Sequence, residues 1–131
     1  MIATTKEQSE RLVKCGVSSD TADMCYDSGA LSLMQYNSAI NERDSRRENY
    51  EVLPAWSLSR MLELMPKRLR SYYRRGGYYK MVLTIVTKDW CLSYKEYDFS
   101  LKAFFGESPI EAFVKAVEWL TSNGYKLNEV K

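Results

Sequence analysis

The sequence predicts an α+β fold, in which a small three- or four-stranded antiparallel sheet packs against central and C-terminal helices, with an N-terminal helical hairpin alongside. Alternating segments rich in β-branched and aromatic residues follow one another over residues 78–105. Strong helix-capping signals stand near both ends of the chain. The 131 residues, 45% hydrophobic and 27% charged, have the size and composition of one domain spanning 1–131.

The N-terminal residues carry the signals of a helical hairpin. Thr5 and Gln8 fit a capping box, which starts a helix that Gly16 is placed to end in a left-handed conformation. A second short helix is expected to run to about Tyr26, because it is preceded by three residues suited to the N-cap position: Ser18, Ser19 and Asp20.

Signals in the middle of the chain are weaker. Leu31 and Leu33 alternate with other residues, which allows a short strand. Residues 37–49 are almost entirely polar and are expected to form a flexible loop. Ser57 caps a helix that Pro66 ends. Four apolar residues at helical spacing form one face of this helix: Leu58, Met61, Leu62 and Met65.

The second half of the chain contains the predicted sheet. Strands are expected over 78–87, 90–98 and 99–105, with Lys88 and Asp89 forming the first turn. Ser108, Pro109 and Glu111 are typical of a helix start, and an apolar stripe follows them. The predicted core comprises Leu12, Trp56, Leu58, Leu62, Leu83, Ile85, Leu92, Phe113, Val117 and Leu120.

The composition argues against an enzyme. With 0 His, the chain lacks Ser-His-Asp triads, Cys-His dyads and histidine-ligated metal sites. Its three cysteines are widely spaced and are expected to be reduced. The acidic groups Asp20, Asp23 and Asp27, and Glu96 with Asp98, match no known ligand spacing. We therefore expect no catalytic residue, no metal site and no cofactor.

Charge is unevenly distributed along the chain. Residues 1–66 hold 7 basic and 10 acidic side chains, whereas residues 67–131 hold 12 and 7. The basic excess is concentrated in a run interleaved with tyrosines, a mixture suited to phosphates and unstacked bases; a solvated loop with packed tyrosines is the alternative. The candidate nucleic-acid-binding residues are Lys67, Arg68, Arg70, Tyr72, Tyr73, Arg74, Arg75, Tyr78, Tyr79 and Lys80.

A second stretch, residues 12–22, resembles a helix-turn-helix in its Gly-Val-Ser core. Leu12 stands where close helix approach usually needs Ala or Gly. Asp20 and Asp23 would face the phosphates and repel them. A helical hairpin that contributes to the core is therefore the preferred interpretation.

Several stretches resemble a group of small uncharacterised proteins found in prophage and mobile-element settings of gut bacteria. The similarity covers most of the chain, excluding the polar loop and much of the β-hairpin. It implies an intracellular accessory protein and gives no catalytic or binding residues to carry over. The stretches that carry it are Lys6-Glu7-Gln8-Ser9, Asp20-Thr21-Ala22-Asp23-Met24, Pro54-Ala55-Trp56-Ser57-Leu58-Ser59-Arg60, and Pro109 with Trp119-Leu120 and Asn123-Gly124-Tyr125.

The sequence has neither a secretory signal nor an apolar stretch of the ~20 residues that a membrane span requires. We expect a cytoplasmic protein with no membrane partner. The favoured function is a non-enzymatic protein-interaction module that binds an unidentified protein or a second copy of itself through an exposed sheet edge. The alternative is a nucleic-acid-binding protein that uses the basic and tyrosine-rich run 67–80.

Overall fold

Four strands in the second half of the chain form an antiparallel sheet, in which each strand pairs with the next one along the chain. The structure is a computed structural model that describes residues 3–70, 77–97 and 99–130. It confirms the predicted α+β class and a four-stranded antiparallel sheet. The strands are β4 (Arg68–Arg70), β5 (Tyr78–Val86), β6 (Asp89–Glu96) and β7 (Phe99–Gly106).

The C-terminal helix α4 (Pro109–Ser122) covers one face of β6 and β7. Ser108 accepts a hydrogen bond from the Glu111 amide at 3.2 Å, which confirms the predicted cap. Phe104 on β7 contacts the Trp119 ring, with ring centroids 5.8 Å apart. The predicted apolar stripe of the helix is fully buried: Ile110, Phe113, Val114, Val117 and Leu120.

A second antiparallel sheet, of three strands, lies in the first half of the chain. Its strands, in spatial order, are β2 (Ala30–Ser32), β1 (Met24–Asp27) and β3 (Val52–Ala55). The sequence did not predict β1, because its polar N-cap candidates favoured a helix. The expected second helix is a single 3-10 turn, Ser19–Thr21, capped by Ser18, so the predicted hairpin contains one α-helix.

Helix α1 (Lys6–Lys14) begins with the predicted capping box. The Thr5 amide donates to Gln8 Oε1 at 2.9 Å, and the Gln8 amide donates to Thr5 Oγ1 at 3.1 Å. Gly16 ends the helix with φ 102°, as predicted. The residue before the box, Thr4, exchanges two hydrogen bonds with the backbone of Trp56 and so joins the N-terminus to the end of β3.

Residues 37–49 do not form the expected loop. Most of this segment belongs to helix α2 (Tyr36–Ser45). The helix lacks a side-chain hydrogen bond at its N-cap, and its apolar residues do not fall on one face, so the sequence pattern did not indicate a helix. Its contribution to the core is small: Ala39 packs with Cys25 and Val52. The helix is therefore held by this contact more than by its own sequence.

The predicted core is right at its centre and wrong at four positions. Leu12, Trp56, Leu92, Phe113, Val117 and Leu120 are buried. In helix α3 (Leu58–Leu64), Leu58 is half-buried and Leu62 is exposed. The buried residues here are Met61 and Leu64 of the helix and Met65, which follows it. Two residues on β5 are also exposed because helix α4 packs over β6 and β7: Leu83 and Ile85.

The chain divides into two compact units, Met1–Glu63 with Glu129–Lys131, and Leu64–Asn128. The first contains the three-stranded sheet and most of α3. The second contains the four-stranded sheet, α4 and the tail that follows it. In this tail Asn128 donates to the carbonyls of Leu64 and Met65, both at 2.9 Å.

Candidate nucleic-acid interface

Three basic residues lie side by side across the four-stranded sheet. Arg68 on β4 is the register partner of Lys80 on β5, and Lys80 is the register partner of Lys95 on β6. Because register partners leave a sheet from the same face, the three side chains form a row perpendicular to the strands. The row spans roughly 10 Å, twice the usual distance between neighbouring strands. We call these three residues the cationic strip.

No member of the cationic strip forms an ion pair with a carboxylate among the described residues. All three side chains are exposed. Like charges directly opposite each other destabilise a sheet. A surface of this kind attracts a polyanion, because phosphate groups offset the mutual repulsion that the fold alone leaves in place.

Aromatic rings adjoin the strip. Tyr78 lies two residues before Lys80 on the same face, opposite Arg70 on β4. The Arg68 guanidinium lies 5.9 Å from the centre of the Tyr78 ring. Tyr97 follows β6, and its side chain is 81% exposed. The strip, Tyr78 and Tyr97 border a shallow hollow of about 340 Å³.

Two further residues line this hollow. Gly77 precedes β5 and adds no side chain to it. Glu96 follows Lys95 on β6 and is the one acidic residue of the lining. Three cations and two aromatic rings outnumber it, and this combination suits phosphates and bases.

The structure tests part of the predicted basic run. It brings Arg68, Arg70, Tyr78 and Lys80 together on one face, and Lys67 is exposed immediately before β4. Tyr79 is the exception, because its side chain points to the opposite face and is 1% exposed. The centre of its ring lies 6.2 Å from that of Phe99. The remaining candidates lie outside the described residues: Tyr72, Tyr73, Arg74 and Arg75.

Sequence reasoning missed Lys95 and Tyr97. Both lie outside the basic run, and neither belongs to a charge cluster along the chain. The turn expected at Lys88 and Asp89 is wrong, since the strands turn at Thr87 and Lys88. The expected turn would have put Lys80 opposite Tyr97, whereas the observed register puts it opposite Lys95.

Two of the acidic residues singled out in the sequence, Asp20 and Asp23, accept hydrogen bonds from neighbouring side chains or backbone. Asp23 accepts hydrogen bonds from the Ser57 amide at 2.9 Å and from the Ser57 hydroxyl at the start of α3. Asp20 accepts from Asn37 at 3.0 Å. Asp98 lies outside the described residues. Within the described ranges, no group of three or more His, Cys, Asp or Glu side chains is arranged to hold a metal ion.

All three cysteines are free thiols. Burial raises the pKa of Cys25, and the nearby Asp27 carboxylate raises it further, so its thiol stays protonated and weakly nucleophilic. The helix-turn-helix resemblance is wrong, because the segment proposed as a recognition helix leads from a 3-10 turn into β1.

Comparison of the chain with protein-family models, with curated proteins and with solved structures finds no match. The resemblance to small proteins of prophage and mobile-element settings thus stays a prediction. In the described ranges, no helix combines the length and the apolar character needed to cross a membrane.

Proposed function

We propose that this protein binds nucleic acid through the cationic strip and the residues beside it. The observation that carries the proposal is the cross-strand alignment of Arg68, Lys80 and Lys95 without a described carboxylate partner. Phosphate contacts supply most of the affinity in sequence-independent binding. Arg70 lies on the same face, opposite Tyr78, and its exposed side chain extends this positive surface.

The test is a binding titration by fluorescence anisotropy with labelled single- and double-stranded oligonucleotides at low ionic strength. The wild-type protein is expected to bind. The combined variant Arg68→Gln, Lys80→Gln and Lys95→Gln is expected to lose at least about tenfold in affinity. Retention of wild-type affinity in this variant would mean that the strip is not the site.

A matched control is available on the same sheet. Lys102 on β7 is exposed and is the register partner of Tyr94, so it leaves from the face opposite the strip. Lys102→Gln removes one positive charge without touching the strip, so it is matched to the single variant Lys80→Gln. The affinity of Lys102→Gln is expected to stay within about twofold of wild type, because any remaining effect is long-range and screened.

Protein interaction is a second candidate function, favoured by the outer edge of β5. Strand β4 pairs with Tyr78–Lys80, and no other described strand covers the rest of that edge. Apolar side chains are exposed along it: Leu83, Ile85 and Val86. An open apolar strand edge favours pairing with another strand.

This second proposal predicts concentration-dependent self-association. Sedimentation equilibrium is expected to detect a dimer that Ile85→Lys dissociates, because a charge on the edge opposes strand pairing. A wild-type protein that stays monomeric at every concentration would exclude pairing between copies along this edge.

A further inference from the structure

We infer that the interface is built for single-stranded nucleic acid, with unstacked bases seated on Tyr78 and Tyr97 beside the cationic strip. This inference rests on the proposed function and specifies its substrate class. The tyrosines and the cations line one hollow. In a duplex the bases are stacked on one another and cannot lie against a protein ring. In a single strand they are free to stack on exposed tyrosines.

The hollow is small and lies on the face of the sheet. Its volume is about 340 Å³, and the strip beside it spans roughly 10 Å. The surface is the face of a sheet. Among the described residues, no helix or strand projects from the strip in a way that would enter the groove of a duplex. Such a face can contact the phosphates of neighbouring nucleotides while their bases lie against the rings.

Tyr78 is placed for this role by its strand. It is about half exposed, at 49%, on a strand whose next residue, Tyr79, is buried in the core. Alternation along β5 thus anchors one tyrosine and presents the other. The Arg68 guanidinium near the Tyr78 ring adds a cation beside the aromatic surface, an arrangement that also favours stacked bases.

Tyr97 occupies a backbone conformation that does not suit tyrosine. Its φ is 54°, in the left-handed region that Gly and Asn adopt at lower cost. The conformation belongs to tight turns between strands, since Thr87 in the turn between β5 and β6 has a similar φ of 59°. The Tyr97 side chain is 81% exposed and borders the hollow beside the strip. The turn after β6 therefore presents this ring at the proposed site.

The experiment compares an oligothymidylate of about 12 nucleotides, the same length of duplex, and inorganic polyphosphate as probes. Wild-type protein is expected to bind the single strand at least about tenfold more tightly than the duplex. Tyr78→Leu is expected to weaken single-strand binding at least about fivefold while leaving polyphosphate binding unchanged, because polyphosphate contacts cations alone.

Tyr97→Asn is the second variant, and it separates folding from binding. It is expected to weaken single-strand binding while its thermal unfolding midpoint stays at or above the wild-type value, because Asn tolerates a positive φ. Equal affinity for single strand and duplex, with no effect of either tyrosine variant, would overturn the inference and leave the proposed function standing. Absence of binding to any nucleic acid would overturn both.

Discussion

Lys80 on β5 and Lys95 on β6 lie directly opposite each other in the antiparallel ladder, on the same exposed face of the sheet. Arg68 lies on the other side of Lys80, so the central lysine has a cation on each flank. A sheet selected for stability alone would place an acid or a polar residue at this position. The arrangement lowers the stability of the free protein and is suited to an anionic ligand.

The first prediction concerns the stability cost of this arrangement. Lys80→Gln is expected to raise the free energy of unfolding by about 0.2–1 kcal/mol at low ionic strength, because it removes both repulsive contacts. The gain should shrink as salt is added. Urea unfolding at two salt concentrations measures it, with Lys102→Gln as the control expected to show no comparable gain. Destabilisation by Lys80→Gln at low salt would contradict the repulsion argument.

The second prediction concerns the contact between β7 and α4. A Cβ atom at Gly106 would lie 2.7 Å from the Ala112 amide nitrogen and 2.9 Å from the Glu111 Cβ. Gly106→Ala is therefore expected to lower the free energy of unfolding by about 1–3 kcal/mol, as overpacking does elsewhere. Denaturant unfolding measures the loss. Ser100→Ala, at an exposed position on the same strand, should change little, and equal values for the two variants would show that α4 yields easily.

The third prediction concerns alkaline pH. Burial raises the pKa of Tyr94 above its ordinary value of 10.0, and its hydroxyl donates to the Pro66 carbonyl at 2.7 Å. The unfolded chain ionises this tyrosine near pH 10, whereas the folded chain resists ionisation. Its contribution to stability is therefore complete below about pH 10 and falls as the pH rises further.

Tyr94→Phe tests this linkage. The variant is expected to lose about 1 kcal/mol at neutral pH with the hydrogen bond, and to show a shallower decline in stability between about pH 9 and about pH 11. Urea unfolding across that range gives both quantities. Parallel declines in the two proteins would rule out Tyr94 as a source of the alkaline sensitivity.

The fourth prediction concerns the start of helix α3. Asp23 accepts from both the amide and the hydroxyl of Ser57, and the Arg60 amide donates to Ser57 Oγ at 3.1 Å. Asp23→Ala is expected to cost about 1–3 kcal/mol, because it leaves the Ser57 amide without its carboxylate acceptor. Ser57→Ala keeps that amide contact and should cost less. Thermal unfolding orders the two variants, and the reverse order would show that the hydroxyl dominates.

Helix ends could be predicted from local signals, whereas elements that depend on contacts between distant segments could not. The capping box at Thr5 and the cap at Ser108 depend on residues within one turn, which is why both were recognised. Strand β3 was missed because Pro54 discourages a strand assignment. It is tolerated there because β3 is an edge strand of the order β2-β1-β3.

The candidate site could be predicted only in part for the same reason. The basic run around Arg68 and Lys80 is visible as a cluster along the chain, but Lys95 joins it through the β5–β6 register. The exclusion of Tyr79 also required the structure, since alternation alone does not reveal which face is covered. Sequence identified the charge, and the fold determined which side chains share a surface.

The salt dependence of single-strand binding tests the central claim most directly. Wild-type affinity should fall linearly on a log–log plot against salt. The combined variant Arg68→Gln, Lys80→Gln and Lys95→Gln should have a slope shallower by about 2, since each lost phosphate contact removes roughly 0.7. Lys102→Gln should keep the wild-type slope. An unchanged slope in the combined variant, or no binding by the wild type even at low salt, would contradict the assignment of the cationic strip as a nucleic-acid interface.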